Sequence, residues 1–292
     1  MHKLEYYLVV ILFRFFQWLS LSAAKRFAQI LSVFIGRIIR YRRRVIHDNL
    51  RLVYRSDWPF DKSTFFKAVY EHFTFLWIEF LQMTKLDASS LNRHFTIHGR
   101  EILDEAFQKK RGVILISGHF GNFEWLGQMH ALLGFKVNGI AKRQSNRYVN
   151  EFIHNIRNRN DVGVIYTKTA MHDGVEVLGR NEILAIVNDQ DAGKRGLFVQ
   201  FMGQPSATAA GPAVFHLRTG AALIFIVAIR KDYGQFDVYY EKIAETQDPQ
   251  EVTTEKIHAI TQRYANHLEA WVRKYPEQWF WMHRRWKTKP QN

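Results

Sequence analysis

Apolar and polar positions along this chain follow three successive patterns. Leu4 to Leu21 is mostly apolar, interrupted by Glu5, Arg14 and Gln17, and a second apolar stretch, Phe27 to Ile39, is broken by Gln29 and Arg37. Each falls short of the roughly 20 apolar residues that a spanning helix needs. Ser56 to Asp61, with Trp58 and Pro59, reads as a loop. Lys62 to Met83 then predicts an aromatic helix, with Phe66, Val69, Phe73 and Trp77 at helical spacing, a stripe suited to a core or to lining an acyl groove.

From Gly112 the period alternates. Strands are predicted at Val113–Ser117, Lys136–Ala141, Val162–Tyr166, Ile183–Val187, Ala221–Ile229 and Phe236–Tyr240. Helices are predicted between them near Asn122–Leu133, Tyr148–Asn160, Met171–Gly179 and Ala210–Thr219, with a last one at Thr253–Arg273. Such alternation predicts an α/β fold, a mostly parallel central sheet flanked by helices. With an N-terminal membrane-associated helical segment, the simplest division is a membrane-anchoring segment, 1–45, and a catalytic domain, 46–292.

Charge sharpens the N-terminal reading. Lys25-Arg26 separates the two apolar stretches, and Arg40, Arg42, Arg43 and Arg44 follow the second, around Tyr41. No small-residue cleavage site follows a clean apolar core, so a removed signal peptide is not expected. Two membrane arrangements stand beside the plain reading of a soluble, unusually aromatic core helix. One is an uncleaved spanning or re-entrant anchor with the Arg cluster on the cytoplasmic side. The other is a helix lying in the interface, with Phe13, Phe15, Phe16 and Trp18 in the acyl region. The whole chain of 292 residues carries 41 Lys+Arg against 27 Asp+Glu, a net charge of +14, which implies an anionic partner. Cysteine is absent, which excludes disulfides, thiolate nucleophiles and Cys-type zinc sites. The 13 His are scattered without a His-x3-His pair on a helix, so no metal and no cofactor is expected.

The candidate chemistry lies in Ile116-Ser117-Gly118-His119-Phe120-Gly121-Asn122-Phe123-Glu124. A buried strand that stops at Ser-Gly-His and reopens as a helix places His119 at the carboxyl end of a strand, where α/β proteins hold reactive side chains. On one helix, His119 and Glu124 would lie about 140° apart and could not share a metal. With His119 in the loop and Glu124 in the first helical turn, the carboxylate can fold back on the imidazole, making His119 a general base. The competing reading is a hydrogen-bonded structural His and a first-turn acid favoured by the helix dipole. Gly193-Lys194-Arg195-Gly196 lacks the spacing of a phosphate loop. Gly-x-Ser-x-Gly is absent, and Ser117 lies too close to His119 in sequence for an ordinary serine nucleophile.

The wider string narrows the choice. His119 to Glu124 resembles the H-x4-E block of the lipid A late acyltransferases, within the superfamily of lysophospholipid and glycerophosphate acyltransferases. Asp189-Gln190-Asp191 resembles the family's D-Q-D block, Ala207 to Ala213 its small-residue block before a helix, and Trp281 to Thr288 its C-terminal W-x-H-R-R-W-K-T signature. The order and spacing match over nearly the whole chain.

That resemblance implies an O-acyltransferase that moves a fatty acyl chain from an acyl carrier protein thioester, or acyl-CoA, to a hydroxyl of a lipid A precursor. It implies the cytoplasmic face of a bacterial inner membrane. His119 would deprotonate the hydroxyl, Glu124 would hold the ring in its tautomer, and no acyl-enzyme would form. Backbone N–H groups around Gly121 and Asn122 are candidate oxyanion donors. Arg143 best matches the family's Arg after the second strand, with Arg147 as rival for the acceptor phosphates. Asp189 and Asp191 would orient cations or cap their loop. His283, Arg284 and Arg285, interleaved with Trp279, Trp281 and Trp286, suit acceptor or membrane binding. An acidic carrier protein complements the basic balance. The alternatives are acylation of a lysophospholipid or glycolipid and, from another class, a non-catalytic basic protein of the membrane surface. Nucleic-acid binding is disfavoured by the apolar N-terminus and the lack of a recognition module.

Overall fold

The computed structural model describes residues 2–290. Its centre is a seven-stranded sheet in the order β1-β9-β8-β2-β5-β3-β4. The strands are β1 (Phe95–His98), β2 (Val113–Ser117), β3 (Val137–Ala141), β4 (Gly163–Tyr166), β5 (Ile183–Val187), β8 (Ala222–Asp232) and β9 (Gln235–Ala244). β8, β2, β5, β3 and β4 run parallel, while β9 is antiparallel to β8 and β1 pairs parallel to β9. A separate hairpin joins β6 (Leu197–Phe201) to β7 (Gln204–Thr208) through Met202-Gly203, both at positive φ.

Every residue of β2 is buried. Val113 and Leu115 enter a cluster with α6 (Arg100–Gln108), α7 (Phe123–Leu132) and α8 (Arg147–Arg157). Ile114 and Ile116 enter another with α9 (Ala170–Gly179), α10 (Gly211–Thr219) and α11 (Thr254–Lys274). This double coverage is why the central strands read as continuous apolar runs. Each buried Ile, Leu or Val contributes about 1.5–3 kcal/mol.

The N-terminal third is helical: α1 (His2–Trp18), α2 (Leu21–Val33), a π-helical turn at Phe34–Ile39, α3 (Arg43–Tyr54) and α4 (Lys62–Gln82); a one-turn α5 (Leu91–His94) leads into β1. Asp61 caps α4, its carboxylate accepting from the Thr64 N–H at 2.8 Å. Phe16, Ala24 and Ala28 pack with Phe75 and Ile78 of α4. Phe16 is therefore turned inward, and Phe13 stacks edge-on against Phe152 of α8 at 5.2 Å, so neither faces outward as an interfacial reading of all four aromatics expects. Leu4, Leu8, Ile11, Phe15 and Trp18 do face outward, as do Phe27, Ile30, Phe34 and Ile38, and Trp18 exposes 86% of its surface. Among the described residues no helix is long and apolar enough to cross a membrane.

The elements that escape the sequence pattern include α3, α5, α6, β1 and the β6–β7 hairpin. β1 has four residues, too few to show a period. The small-residue block splits, Ala207 and Thr208 ending β7 before α10 begins.

Candidate active site

Two neighbouring parallel strands build the site. Ser117 at the end of β2 lies opposite Val187 at the end of β5, so residues two positions further on, His119 and Asp189, emerge side by side. Asp189 Oδ1 lies 2.6 Å from His119 Nδ1, and Oδ2 accepts from the His119 backbone N–H and from Trp279 Nε1, both at 2.8 Å. Asp189 is 3% exposed, whereas the His119 side chain keeps 25% of its surface open. The carboxylate fixes the proton on Nδ1 and leaves Nε2 with a lone pair. Burial disfavours the charged ring, but the Asp189 charge, its hydrogen bond and the Glu124 charge outweigh it, and the His119 pKa is raised above its usual value. Burial likewise opposes ionisation of Asp189, yet His119 and the Trp279 donor hold its pKa below the usual carboxylate range. An ionised acid behind a neutral imidazole is the arrangement of a general base.

Glu124 does not occupy the place expected of it. It sits in the first turn of α7 and faces Arg157 at the end of α8, accepting from Nε at 3.0 Å and also from Nη2. The Arg157 guanidinium takes both carboxylate oxygens, which holds Glu124 off the imidazole. Glu124 reaches His119 only through its charge.

The remaining candidates divide. Asn122 is fully buried, its Oδ1 capping α7 at the Trp125 N–H (3.0 Å) and its Nδ2 donating to Glu79 at 2.7 Å, so it does not face a substrate. The proposed backbone donors are taken: Gly121 N–H donates to Gln278 O at 3.0 Å and Asn122 N–H to Ala228 O at 3.4 Å. Gly121 is required there, since at φ 56° a Cβ would lie 1.7 Å from Ala228 O.

Arg285 is 2% exposed and grips the loop from behind, donating to Ala207 O at 2.6 Å, to Gln190 O at 3.3 Å and to Thr208 Oγ1. His283 Nε2 accepts the Asp191 N–H at 2.9 Å, and the Asp191 carboxylate accepts from Thr288 Oγ1 at 2.9 Å. Burial, partly opposed by Asp189, lowers the His283 pKa and keeps the ring neutral. These residues are loop supports rather than free phosphate ligands.

Trp279, Trp281 and Trp286 are buried and not at an interface, because the C-terminal strap folds over the carboxyl end of the sheet. Phe280 N–H donates to His119 O at 3.0 Å, and Phe120 and Trp279 form an antiparallel bridge. Asn49 of α3 ties down the strap through Trp281 O and His283 O. Arg284, Arg143 and Arg147 are exposed; Arg143 lies over the Tyr166 ring and Arg147 on Tyr148 Oη, and no hydrogen bond or ion pair joins either to the His119–Asp189 pair. Ser117 is buried.

Several contributors carry no local signal in the chain. Trp279 reaches Asp189 from 90 positions away. Glu79 of α4 collects Arg230, Asn122 and Gly234 in one buried network beneath the start of α7. Beside the partly buried imidazole lies an apolar slot formed by Val69, Phe73 and Leu76 of α4 with Phe280 and Met282 of the strap. Among the described residues no group of three or more His, Asp or Glu is placed to hold a metal.

The profile described as bacterial lipid A biosynthesis acyltransferase matches residues 1–288. The chain is 27% identical over 218 residues to a lipid A biosynthesis palmitoleoyltransferase of Escherichia coli, covering 69% of this chain and 64% of that protein, less than two thirds of the relative's length. It is 24% identical over 221 residues to a phosphatidylinositol mannoside acyltransferase of Mycobacterium tuberculosis, covering 72% of this chain and 66% of the relative. A lipid A biosynthesis lauroyltransferase of Escherichia coli is 25% identical over 198 residues, 66% of this chain and 62% of its own.

Proposed function

The chain belongs to the bacterial lipid A biosynthesis acyltransferase family, and from that premise we propose that it is a membrane-associated O-acyltransferase moving an acyl chain from an acyl carrier protein thioester to a hydroxyl of a lipid A precursor. The observation that carries the reading is the His119–Asp189 pair, with Nε2 facing the exposed Gln190 side chain beside an apolar slot. His119 Nε2 takes the acceptor hydroxyl proton as the oxygen attacks the thioester carbonyl. The C–S bond breaks and the thiolate takes that proton back from His119. Asp189 stabilises the imidazolium in between, and proton transfer of this kind to a positioned base is worth about 10²–10⁴ in rate. No acyl-enzyme is needed, since the chain has no Cys and Ser117 is buried.

Glu124 serves as a positioning residue, pairing Arg157 and adding negative charge near the ring. Arg143, Arg147 and Arg284 are the exposed cations offered to acceptor phosphates. Residues 1–45 act as the membrane anchor of the catalytic domain, lying in the interface with the outward faces of α1 and α2 in the acyl region. The Arg40–Arg44 cluster adds roughly 1 kcal/mol per charge at an anionic leaflet, consistent with the cytoplasmic face of a bacterial inner membrane. The phosphatidylinositol mannoside acyltransferase among the relatives favours a phosphorylated glycolipid as the second acceptor to test.

The test is acyl transfer by purified, detergent-solubilised protein from acyl carrier protein thioesters to a tetra-acylated lipid A precursor, read by mass spectrometry, with His119→Ala alongside. A gain of one acyl group that the variant loses supports enzyme, acceptor and base together. Transfer only to a glycolipid or lysophospholipid moves the acceptor. Equal transfer by the variant removes His119 from the mechanism.

A further inference from the structure

Attack on a thioester puts negative charge on the carbonyl oxygen, and a donor preorganised for that oxygen is worth a large part of the rate. The loops around His119 have spent many of their backbone donors: His119 on Asp189, Gly121 on Gln278, Asn122 on Ala228, Phe280 on His119 and Asp191 on His283. Among the described residues, the side chain hydrogen-bonded to His119 Nε2 is Gln190, its Nε2 at 3.2 Å. Asp189 holds the ring proton on Nδ1, so the amide N–H is the donor in this contact.

The main chain at Gln190 is clamped on both sides. Asp189 is held by His119 and Trp279, the Gln190 carbonyl by Arg285, and Asp191 by His283 and Thr288. The Gln190 side chain is exposed. An acceptor hydroxyl that takes the Nε2 lone pair displaces the amide by about one oxygen's width, leaving its N–H groups roughly 3 Å from the reacting centre. Its neighbours in Asp189-Gln190-Asp191 are carboxylates, which oppose an oxyanion; only the neutral amide stabilises one.

We infer that Gln190 is a further catalytic residue, donating an amide hydrogen bond to the thioester carbonyl oxygen as it becomes an oxyanion. The inference rests on the acyltransferase reading. As the hydroxyl proton passes to His119 Nε2, the new O–C bond forms and the carbonyl π pair moves onto the oxygen facing Gln190. That pair returns as the C–S bond breaks, and the thiolate takes the proton from His119. Gln190 gains and loses none.

The experiment is steady-state acyl transfer over pH by the full chain with Gln190→Ala, Gln190→Glu and Gln190→His, using the donor and acceptor on which the wild type works. Gln190→Ala should lower kcat by about 10²–10³-fold with the acceptor KM within about threefold. Its acid limb should move up in pH, since the lost hydrogen bond was made only to the neutral ring. Gln190→Glu should lose as much rate, with a larger upward move. Gln190→His, which restores an N–H, should regain at least about tenfold over Gln190→Ala. Melting temperatures within about 2 °C of wild type separate these effects from misfolding. An unchanged or increased kcat in Gln190→Ala overturns the inference and makes the amide a mere stopper on the base. A rise in KM alone overturns it in favour of acceptor binding. Failure of the wild type itself, or full activity of His119→Ala, sinks the acyltransferase reading and the inference with it.

Discussion

Replacing Asp189 by Asn preserves the shape of the residue and inverts part of its hydrogen bonding. The carboxylate serves three donors: Oδ2 meets the His119 N–H and Trp279 Nε1–H, and Oδ1 meets Nδ1–H of the ring. An Asn side chain has one acceptor oxygen and one NH₂ group. Its best fit puts the oxygen in the Oδ2 position, where two donors wait, and the NH₂ against Nδ1. Nδ1 must then accept, the ring proton moves to Nε2, and the base presents a proton to the substrate instead of a lone pair. Loss of the charge also removes a leading cause of the raised His119 pKa, so the protonated ring is no longer favoured. Together the wrong tautomer and the missing charge should lower kcat by about 10³–10⁴-fold, or roughly 4–5.5 kcal/mol of activation free energy. The assay is the initial rate of acyl transfer between about pH 5 and 9, which brackets the ordinary His pKa. The wild-type acid limb should lie above the usual His value, and any residual activity of the variant should show that limb at lower pH. A variant within threefold of wild type (about 0.7 kcal/mol), or one with an unmoved acid limb, would refute Asp189 as the partner of the base.

Glu124→Gln should destabilise the fold by about 3 kcal/mol, since it strands Arg157 without its carboxylate. Urea denaturation measures it, and a Glu124→Leu/Arg157→Leu double variant should recover most of the loss; simple addition of the two single effects would count against the pairing. Arg285→Ala should lower both melting temperature and activity, because Ala207 O and Gln190 O lose a buried donor, about 1–3 kcal/mol for each unsatisfied group. Arg285→Lys should restore little, lacking the planar fork.

Leu8→Glu combined with Ile38→Glu should weaken binding to anionic vesicles at least about tenfold, with little change in melting temperature, as both side chains are exposed; unchanged sedimentation with vesicles would refute the interfacial reading. The His119–Asp189 pair also makes stability depend on pH in two windows. His119, with a raised pKa, contributes below the unfolded value of about 6.5 and loses its contribution as pH rises through its folded pKa. Asp189, with a lowered pKa, contributes above the unfolded value of about 3.9 and loses it as pH falls through its folded pKa. Denaturant midpoints for wild type and Asp189→Asn across pH should differ in these windows.

Strand and helix succession from Gly112 onward was legible because local periodicity reports which faces are covered: a strand buried on both faces, such as β2, reads as an unbroken apolar run wherever it is met. The placement of His119 at a strand end was legible for the same reason, and so was the Asp-Gln-Asp block after β5. Which acid serves which base was not. Chain neighbours suggested Glu124, five positions from His119, but the parallel register of β2 and β5 brings in Asp189 from 70 positions away and sends Glu124 to Arg157. The C-terminal cluster misled in the same manner: its Trp and Arg residues look like an interface in the chain, and folding buries Trp281 and Arg285 against the sheet's carboxyl end. Composition and period record what each segment must hide from water. Partnership between side chains depends on strand order and register, which are settled by the packing of distant elements and leave no mark on the residues between.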